Sequence, residues 1–292
     1  MVFDITDDIP GEGNAIVLGG GGASGMAWMI GVLAAWEEGG LKASSADTAV
    51  GTSGGASVAV VLLQENGLRE AFNKLLTPER QPFEVTAEIS FDAFAESVGR
   101  ISKQSAGEKE FLASLFDLAR TSTVEFEQRA RTIRERIATD EWPDGDLKIP
   151  AVSGSELGRK VFMRHDGVSI ADAVLASSAV PGVWPMGRVG DEEFIDGGIM
   201  SATHCDLAGD RERVIVLRPT TNLGGKVIPE EQPVLGRAFI VEPDEESVKS
   251  FGGNVLDPSH RKQAAESGYR QGSNILRAAR EYWEGVEIKD GE

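Results

Sequence analysis

Residues 14–40 read NAIVLGGGGASGMAWMIGVLAAWEEGG, and this stretch sets the fold class. Asn14–Leu18 is a short apolar run that stops at Gly19, the pattern of a buried strand. Past the glycines, Met29, Val32, Leu33 and Trp36 recur at i, i+3, i+4 and i+7, and Gly39-Gly40 ends the helix they predict. Strand, glycine turn and helix make one βα unit. Residues 48–67 repeat it: Thr48–Val50 is β-prone, Gly51–Gly55 turns, and Ala56–Leu63 is an apolar helical segment ending near Asn66-Gly67. Two such units in succession predict an α/β fold with helices on both faces of a sheet. A ligand would sit at the carboxyl ends of those strands.

Outward from this start the character changes. Residues 68–142 are more charged and carry helical spacing, as in Phe111, Leu112, Leu115, Phe116 and then Phe126, Ala130, Ile133, Ile137. They read as a helical insertion or cap, or equally as part of the outer helical layer. Strands resume at Lys148–Ser153, Lys160–Arg164 and Arg213–Leu217, with a helix-like stretch, SIADAVLASSAVPGVWP, stopped by Pro181-Gly182. Arg261–Glu284 is helical in character. With no repeat and no Pro- or Ser-rich linker, the expected organisation is one domain over 1–292 with the insertion at about 68–142.

Composition narrows the function classes. The chain has 29 basic and 47 acidic residues, a formal charge of −18 that disfavours nucleic acid and any polybasic attachment to anionic lipid. A single cysteine, Cys205, excludes an internal disulfide and a cysteine metal cluster and fits a reducing compartment. The opening MVFDITDDIPGEG has neither a basic nor an apolar leader region, and no uncharged run approaches the ~20 residues a membrane helix needs. A cytoplasmic protein is expected.

Two glycine motifs could carry chemistry. Ser53 lies in GTSGG, a G-x-S-x-G between a strand and a helix, as a nucleophile elbow requires; Gly51 and Gly55 are small enough to let strand and helix approach. Gly20, Gly22 and Gly25 satisfy the dinucleotide pattern G-x-G-x-x-G, but that reading needs an acidic residue closing the second strand, and none stands there. The alternative is an oxyanion hole, formed by exposed glycine amides at a helix N-terminus. An elbow also needs a base. His165, His204 and His260 all sit among polar neighbours and read as surface residues, whereas Asp196 in FIDGGIM ends an apolar stretch before Gly197-Gly198. Taken alone, that Asp-Gly is a turn signal.

The ordered set GGGASG at 20–25, GTSGG at 51–55, ASSAVPGVWP at 176–185 and DGG at 196–198 resembles the patatin-like phospholipases. The resemblance covers roughly residues 14–65 and 148–218. It implies a three-layer α/β/α sandwich with a mostly parallel, mixed central sheet. It also implies hydrolysis of lipid acyl esters by a Ser–Asp dyad without metal or organic cofactor. By position, Ser53 is then the nucleophile, Asp196 its base, and the amides of Gly21, Gly22 and Ala23 the oxyanion hole. The implied partner is a lipid or other acyl ester, met at most by transient contact with a lipid surface.

Two departures bear on substrate. Many relatives place a basic residue where this chain has Ser24, and many follow the aspartate motif with Asn-x-Pro where this chain reads IMSATHCD. Neither removes a catalytic group, and both leave the substrate class open, anionic phospholipid above all, because a positive charge near the site is missing. Two rival classes remain: a catalytically weak lipid- or acyl-chain-binding regulator of the same fold, and a nucleotide-binding oxidoreductase using Gly20–Gly25.

Overall fold

The computed structural model describes residues 11–77, 79, 83–87, 89–220 and 228–286. The acidic opening, residues 1–10, on which the expectation about a leader segment rests, lies outside the described residues. In chain order the elements are β1 (Gly11–Leu18), α1 (Gly22–Glu38), β2 (Thr48–Gly51), α2 (Gly54–Leu63), α3 (Gly67–Leu76), α4 (Phe91–Gln104), α5 (Glu108–Ala119) and α6 (Phe126–Ile137). There follow β3 (Asp146–Ser153), β4 (Gly158–Phe162), α7 (Ile170–Ser177), β5 (Gly187–Val189), β6 (Glu192–Asp196) and β7 (Arg211–Leu217). The chain ends with α8 (Gln232–Leu235), β8 (Phe239–Val241), α9 (Glu245–Ser250) and α10 (Arg261–Glu284).

The strands form one mixed sheet in the order β5-β6-β3-β2-β1-β7-β8, with β4 also paired to β3. From β3 through β8 neighbours run parallel, whereas β4 and β6 on β3, and β5 on β6, run antiparallel. β3 joins the two regimes: Asp146–Lys148 pair with β2, and Ile149–Ser153 continue against β4.

Residue alternation along the strands assigns the layers, since successive side chains point to opposite faces. Ile16 and Leu18 face a core built with α1, α2, α3, α6, α7 and α10. Ala15 and Val17 face a thinner layer made by the turn Cys205–Ala208 and α8. Beyond it, Val152 of β3 and Ile195 of β6 pack with Phe94 of α4 and Leu112, Leu115 and Phe116 of α5. This is the three-layer α/β/α arrangement with a mixed sheet.

The helical stretch after residue 67 therefore divides. Leu68, Leu75, Ala130, Ile133 and Ile137 bring α3 and α6 into the main layer, while α4 and α5 build a second cluster on the opposite face. Two local expectations shift. The strand read at Lys160–Arg164 sits at Gly158–Phe162, because its hairpin register places Gly158 opposite Ser153 and Phe162 opposite Ile149. The helix expected to run to Pro181 ends at Ser177, where the chain turns to a different use: Ala179 O accepts from the backbone N–H of Asp196, 2.9 Å away.

The tightest approach in the βα start is at Gly55. A Cβ there would lie 1.9 Å from Leu18 O and 2.7 Å from Gly19 O, both backbone atoms of β1 and its turn. Neither can yield without moving the strand. Gly55→Ala is expected to lower unfolding free energy by about 3 kcal/mol or more, the upper end of overpacking penalties. Gly99→Ala, in α4 with nothing within 4 Å of the added carbon, should instead gain roughly 0.5–1 kcal/mol. Urea denaturation of both variants measures the contrast.

Candidate active site

The end of β2 and the start of α2 force Ser53 into an uncommon backbone state. Its φ is +55° and ψ −120°, a conformation costly for a residue with a Cβ. Hydrogen bonds hold it there: Ser53 N–H donates to Ser177 Oγ at 3.0 Å, and Ser177 Oγ–H donates to Pro150 O at 2.6 Å. Gly55 N–H donates to Thr52 O and Ala56 N–H to Ser53 O, so the helix begins as soon as the serine is passed. Ser53 thus stands at the head of α2 with its hydroxyl turned to a carboxylate.

That carboxylate is Asp196. Ser53 Oγ–H donates to Asp196 Oδ2 at 2.7 Å, across 143 residues of sequence, and Gly198 N–H donates to Asp196 Oδ1 at 2.7 Å. β6 places the aspartate: Asp196 pairs with Ala151 of β3, and the turn Gly197–Ile199 follows at once. Burial lifts the Asp196 carboxyl from its ordinary range to about 6, against the Ser53 hydroxyl, the Gly198 amide and the Arg129 charge, which all pull it down. A carboxyl with this value is ionised at neutral pH yet close enough in basicity to take and return a proton.

Gly22 opens α1 with φ +60°, and a Cβ on it would meet Val255 O at 2.6 Å. Gly22 and Ala23 line the cavity that contains Ser53 and Asp196, together with Gly54. Ser24 N–H already donates to Val255 O, whereas no hydrogen bond among the described residues uses the N–H of Gly22 or Ala23. Gly21, the N-cap, lies one step back against Pro219 and does not line the cavity. Of the remaining motif glycines, Gly20 N–H donates to Ala202 O, Gly25 N–H donates to Gly21 O, Gly51 packs on Ala56 and Gly197 on Pro150. β2 ends at Gly51 with no carboxylate closing it, which leaves the dinucleotide reading without its ribose ligand.

The cavity has an apolar wall of Phe91, Phe94, Val180, Trp184, Ile199 and Leu256, and its polar side carries Ser178, Arg129 and Arg136 besides Ser53 and Asp196. Among the described residues no group of His, Cys, Asp and Glu side chains is arranged to hold a metal ion. No helix among them is long and apolar enough to cross a membrane.

Two expectations about charge and histidine are overturned. Arg129 of α6 lies in the cavity wall, so a positive charge stands near the site although position 24 is serine. Ser24 itself is buried and turned away, its Oγ–H donating to Phe251 O at 3.1 Å. His204 is buried rather than on the surface: Nε2 meets Gly197 O at 2.9 Å and Nδ1 meets Arg159 Nη1 at 3.3 Å. Burial pushes its pKa down, so Nε2–H of the neutral ring donates to the glycine that follows Asp196. Its polar sequence neighbours mislead because they too are buried, around the Glu231 carboxylate, which accepts from Ser201 Oγ, Thr203 Oγ1 and Cys205 N. The stretch 201–205 then supports both glycine motifs, Ala202 O accepting from Gly20 N–H and Thr203 O from Thr52 Oγ1–H.

A family model described as Patatin-like phospholipase matches residues 16–208, two-thirds of the chain, including the helical stretch from which the motif resemblance was absent. The chain belongs to the patatin-like phospholipase family. That family is one of lipid acyl hydrolases, and the matched span holds the strand-turn-helix of Ser53 and the turn of Asp196. No curated protein sequence matches the chain. Among solved structures it is similar to VipD from Legionella pneumophila, with 14% identity, a TM-score of 0.45, and coverage of 92% of this chain and 67% of the other.

Because the folded value of Asp196 exceeds the ~3.9 of a free carboxyl, its contribution favours folding below that pH and is lost as pH rises through about 6. Carbon NMR of the Asp196 carboxyl should show a midpoint near 6. Removing the donor with Ser53→Ala, or the nearby cation with Arg129→Met, should move that midpoint upward.

Proposed function

We propose that this chain is a serine acyl hydrolase that cleaves carboxylic esters of lipids through an acyl-enzyme on Ser53, with Asp196 as the base. The observation that carries the reading is the 2.7 Å hydrogen bond from Ser53 Oγ to Asp196 Oδ2 inside a cavity with a largely apolar wall. Family membership supports the same class of chemistry.

Ser53 Oγ attacks the ester carbonyl carbon while its proton passes to Asp196 Oδ2. The carbonyl oxygen becomes an oxyanion within reach of the N–H groups of Gly22 and Ala23 at the positive end of α1, with Gly54 at the head of α2 beside them. As the tetrahedral centre collapses, the C–O bond to the alcohol breaks and Asp196 returns the proton to the leaving alkoxide. Water then gives a proton to Asp196 and attacks the acyl carbon, the bond to Ser53 Oγ breaks, and the proton restores the serine hydroxyl as the carboxylic acid leaves. Neither half-reaction calls for a metal or organic cofactor. The φ of +55° at Ser53 keeps Oγ out of the helical ladder of α2 and free to attack.

The apolar wall suits an acyl chain: burying each methylene contributes ~0.8 kcal/mol, so short esters should show higher KM than longer ones. Ser53→Ala and Asp196→Asn should each lower kcat/KM for p-nitrophenyl butyrate by ~10³-fold or more, the scale of losing a member of a nucleophile–base unit. A fluorophosphonate probe should label the wild-type chain and not Ser53→Ala. Undiminished hydrolysis in either variant would remove the dyad; fatty-acid binding with no labelling of the wild type would favour a non-catalytic acyl-binding protein. In the active protein the acid limb of kcat/KM should fall below pH about 6, the value at which Asp196 takes up its proton.

A further inference from the structure

Arg129 is an anomaly in the wall of the cavity. Its residue is buried, 3% exposed, and it forms no ion pair among the described residues. Nη2 reaches Ser178 O and Oγ at 3.4 and 3.3 Å, long contacts from one nitrogen only. Among the described residues, Nε and Nη1 have no hydrogen-bond partner. Leaving N–H groups of a buried cation without acceptors is among the least favourable arrangements a fold can hold, and such groups mark places where a partner is expected to enter.

The surroundings keep this cation in place without satisfying it. The guanidinium lies over the Trp184 ring, 4.3 Å from its centroid, which fixes its plane by cation–π attraction. The nearby Glu84 is engaged by other groups: Arg136 Nε at 2.7 Å and Nη2 at 2.5 Å, and Arg261 Nη1 at 3.1 Å. Asp196 acts on Arg129 through its charge, while its two oxygens accept from Ser53 and Gly198. Burial, helped by the neighbouring Arg136, lowers the Arg129 pKa to about 9, so the group is still cationic at neutral pH.

We propose that Arg129 selects the substrate, its free Nε–H and Nη1–H groups taking an anionic oxygen carried on the alcohol side of the ester. This rests on the acyl-hydrolase reading and extends it from ester bond to head group. The ligand chemistry is an oxyanion of phosphate or carboxylate type, which charge-assisted hydrogen bonds from a guanidinium recognise. Phosphate fits the alcohol side; a carboxylate would instead point to the released acid. The charge that Ser24 does not supply reaches the cavity from α6, more than a hundred residues away in sequence.

The test compares two substrates with the same acyl chain, 1-decanoylglycerol and 1-decanoylglycerol 3-phosphate, at pH 8, so that any change in Asp196 ionisation affects both alike. The readout is the ratio of kcat/KM for the phosphate ester to that for the neutral one. In Arg129→Met the ratio should fall ~10–100-fold, the value of hydrogen bonds to a charged group. Arg129→Lys, which keeps the charge but not the planar fork, should fall between. A ratio that moves less than ~tenfold in Arg129→Met overturns the proposal, even if both rates drop, because equal loss means that Arg129 only positions Asp196. Calorimetric binding of decyl phosphate, decanol and decanoate to Ser53→Ala separates this from failure of the hydrolase reading. Decyl phosphate should bind at least ~tenfold more tightly than the other two, and Arg129→Met should erase the difference. Preference for decanoate would overturn the head-group assignment in favour of a site for the released acid. If the wild type hydrolyses no ester, the hydrolase reading fails while this binding result still decides the role of Arg129.

Discussion

The contact on which the site depends is the one between Gly55 and the backbone of β1. With Leu18 O 1.9 Å from where a side chain would begin, the first turn of α2 lies directly against the end of the neighbouring strand. Only because that approach is possible can the chain leave β2, pass through Ser53 at positive φ and enter a helix without a longer loop. β1 and β2 pair in parallel up to Leu18 and Gly51, so both strands end at one level. The unbonded amides at the start of α1 and the hydroxyl at the start of α2 consequently share one cavity.

The opposite wall comes from the antiparallel half of the sheet. Parallel strands bring the two glycine turns to one edge, but a carboxylate facing them must arrive on a strand running the other way. β6 does so through its pairing with β3, ending at Asp196. The residues after it then stabilise all three turns together. Burial alone would raise the Glu231 carboxyl, yet the bonds it receives from Thr203, Ser201, Cys205 and Ile228 hold it below the usual range. The segment it anchors hydrogen-bonds to the turn after β1 and to Thr52 beside the serine. The buried Glu231 charge thereby keeps the two motifs in register.

Three unfavourable features meet in the cavity: a strained serine, a carboxylate deprived of water and an arginine with unpaired N–H groups. Strain and desolvation gathered in one cavity are the pattern expected where a function opposes stability. The surrounding apolar layers offset them. Ile16, Leu18, Trp28, Trp36 and their partners on α2 and α10 are almost wholly withdrawn from solvent, which anchors β1, α1 and α2 against the strain.

The glycine runs, the elbow and Asp-Gly-Gly were legible because a tight turn is made by consecutive residues whose backbone needs are local. The order of these three motifs, with the alternation of apolar strand and amphipathic helix, was enough to specify the α/β class. The three-residue strands β5 and β8 are too short to show any period, and the ends of α7 and β4 depend on partners elsewhere in the chain. Arg129, Ser177, His204 and Glu231 carry no local signature: an arginine in a charged amphipathic helix and a histidine among polar residues both read as solvated. What makes them part of the site is burial and long-range pairing, Ser177 with Ser53, His204 with Gly197, Arg129 with Trp184. The sequence by itself determined the turns and the chemical groups they present. Only the tertiary structure decided which groups are dry, charged and within 3 Å of one another, because desolvation and proximity are properties of packed neighbours rather than of neighbours along the chain.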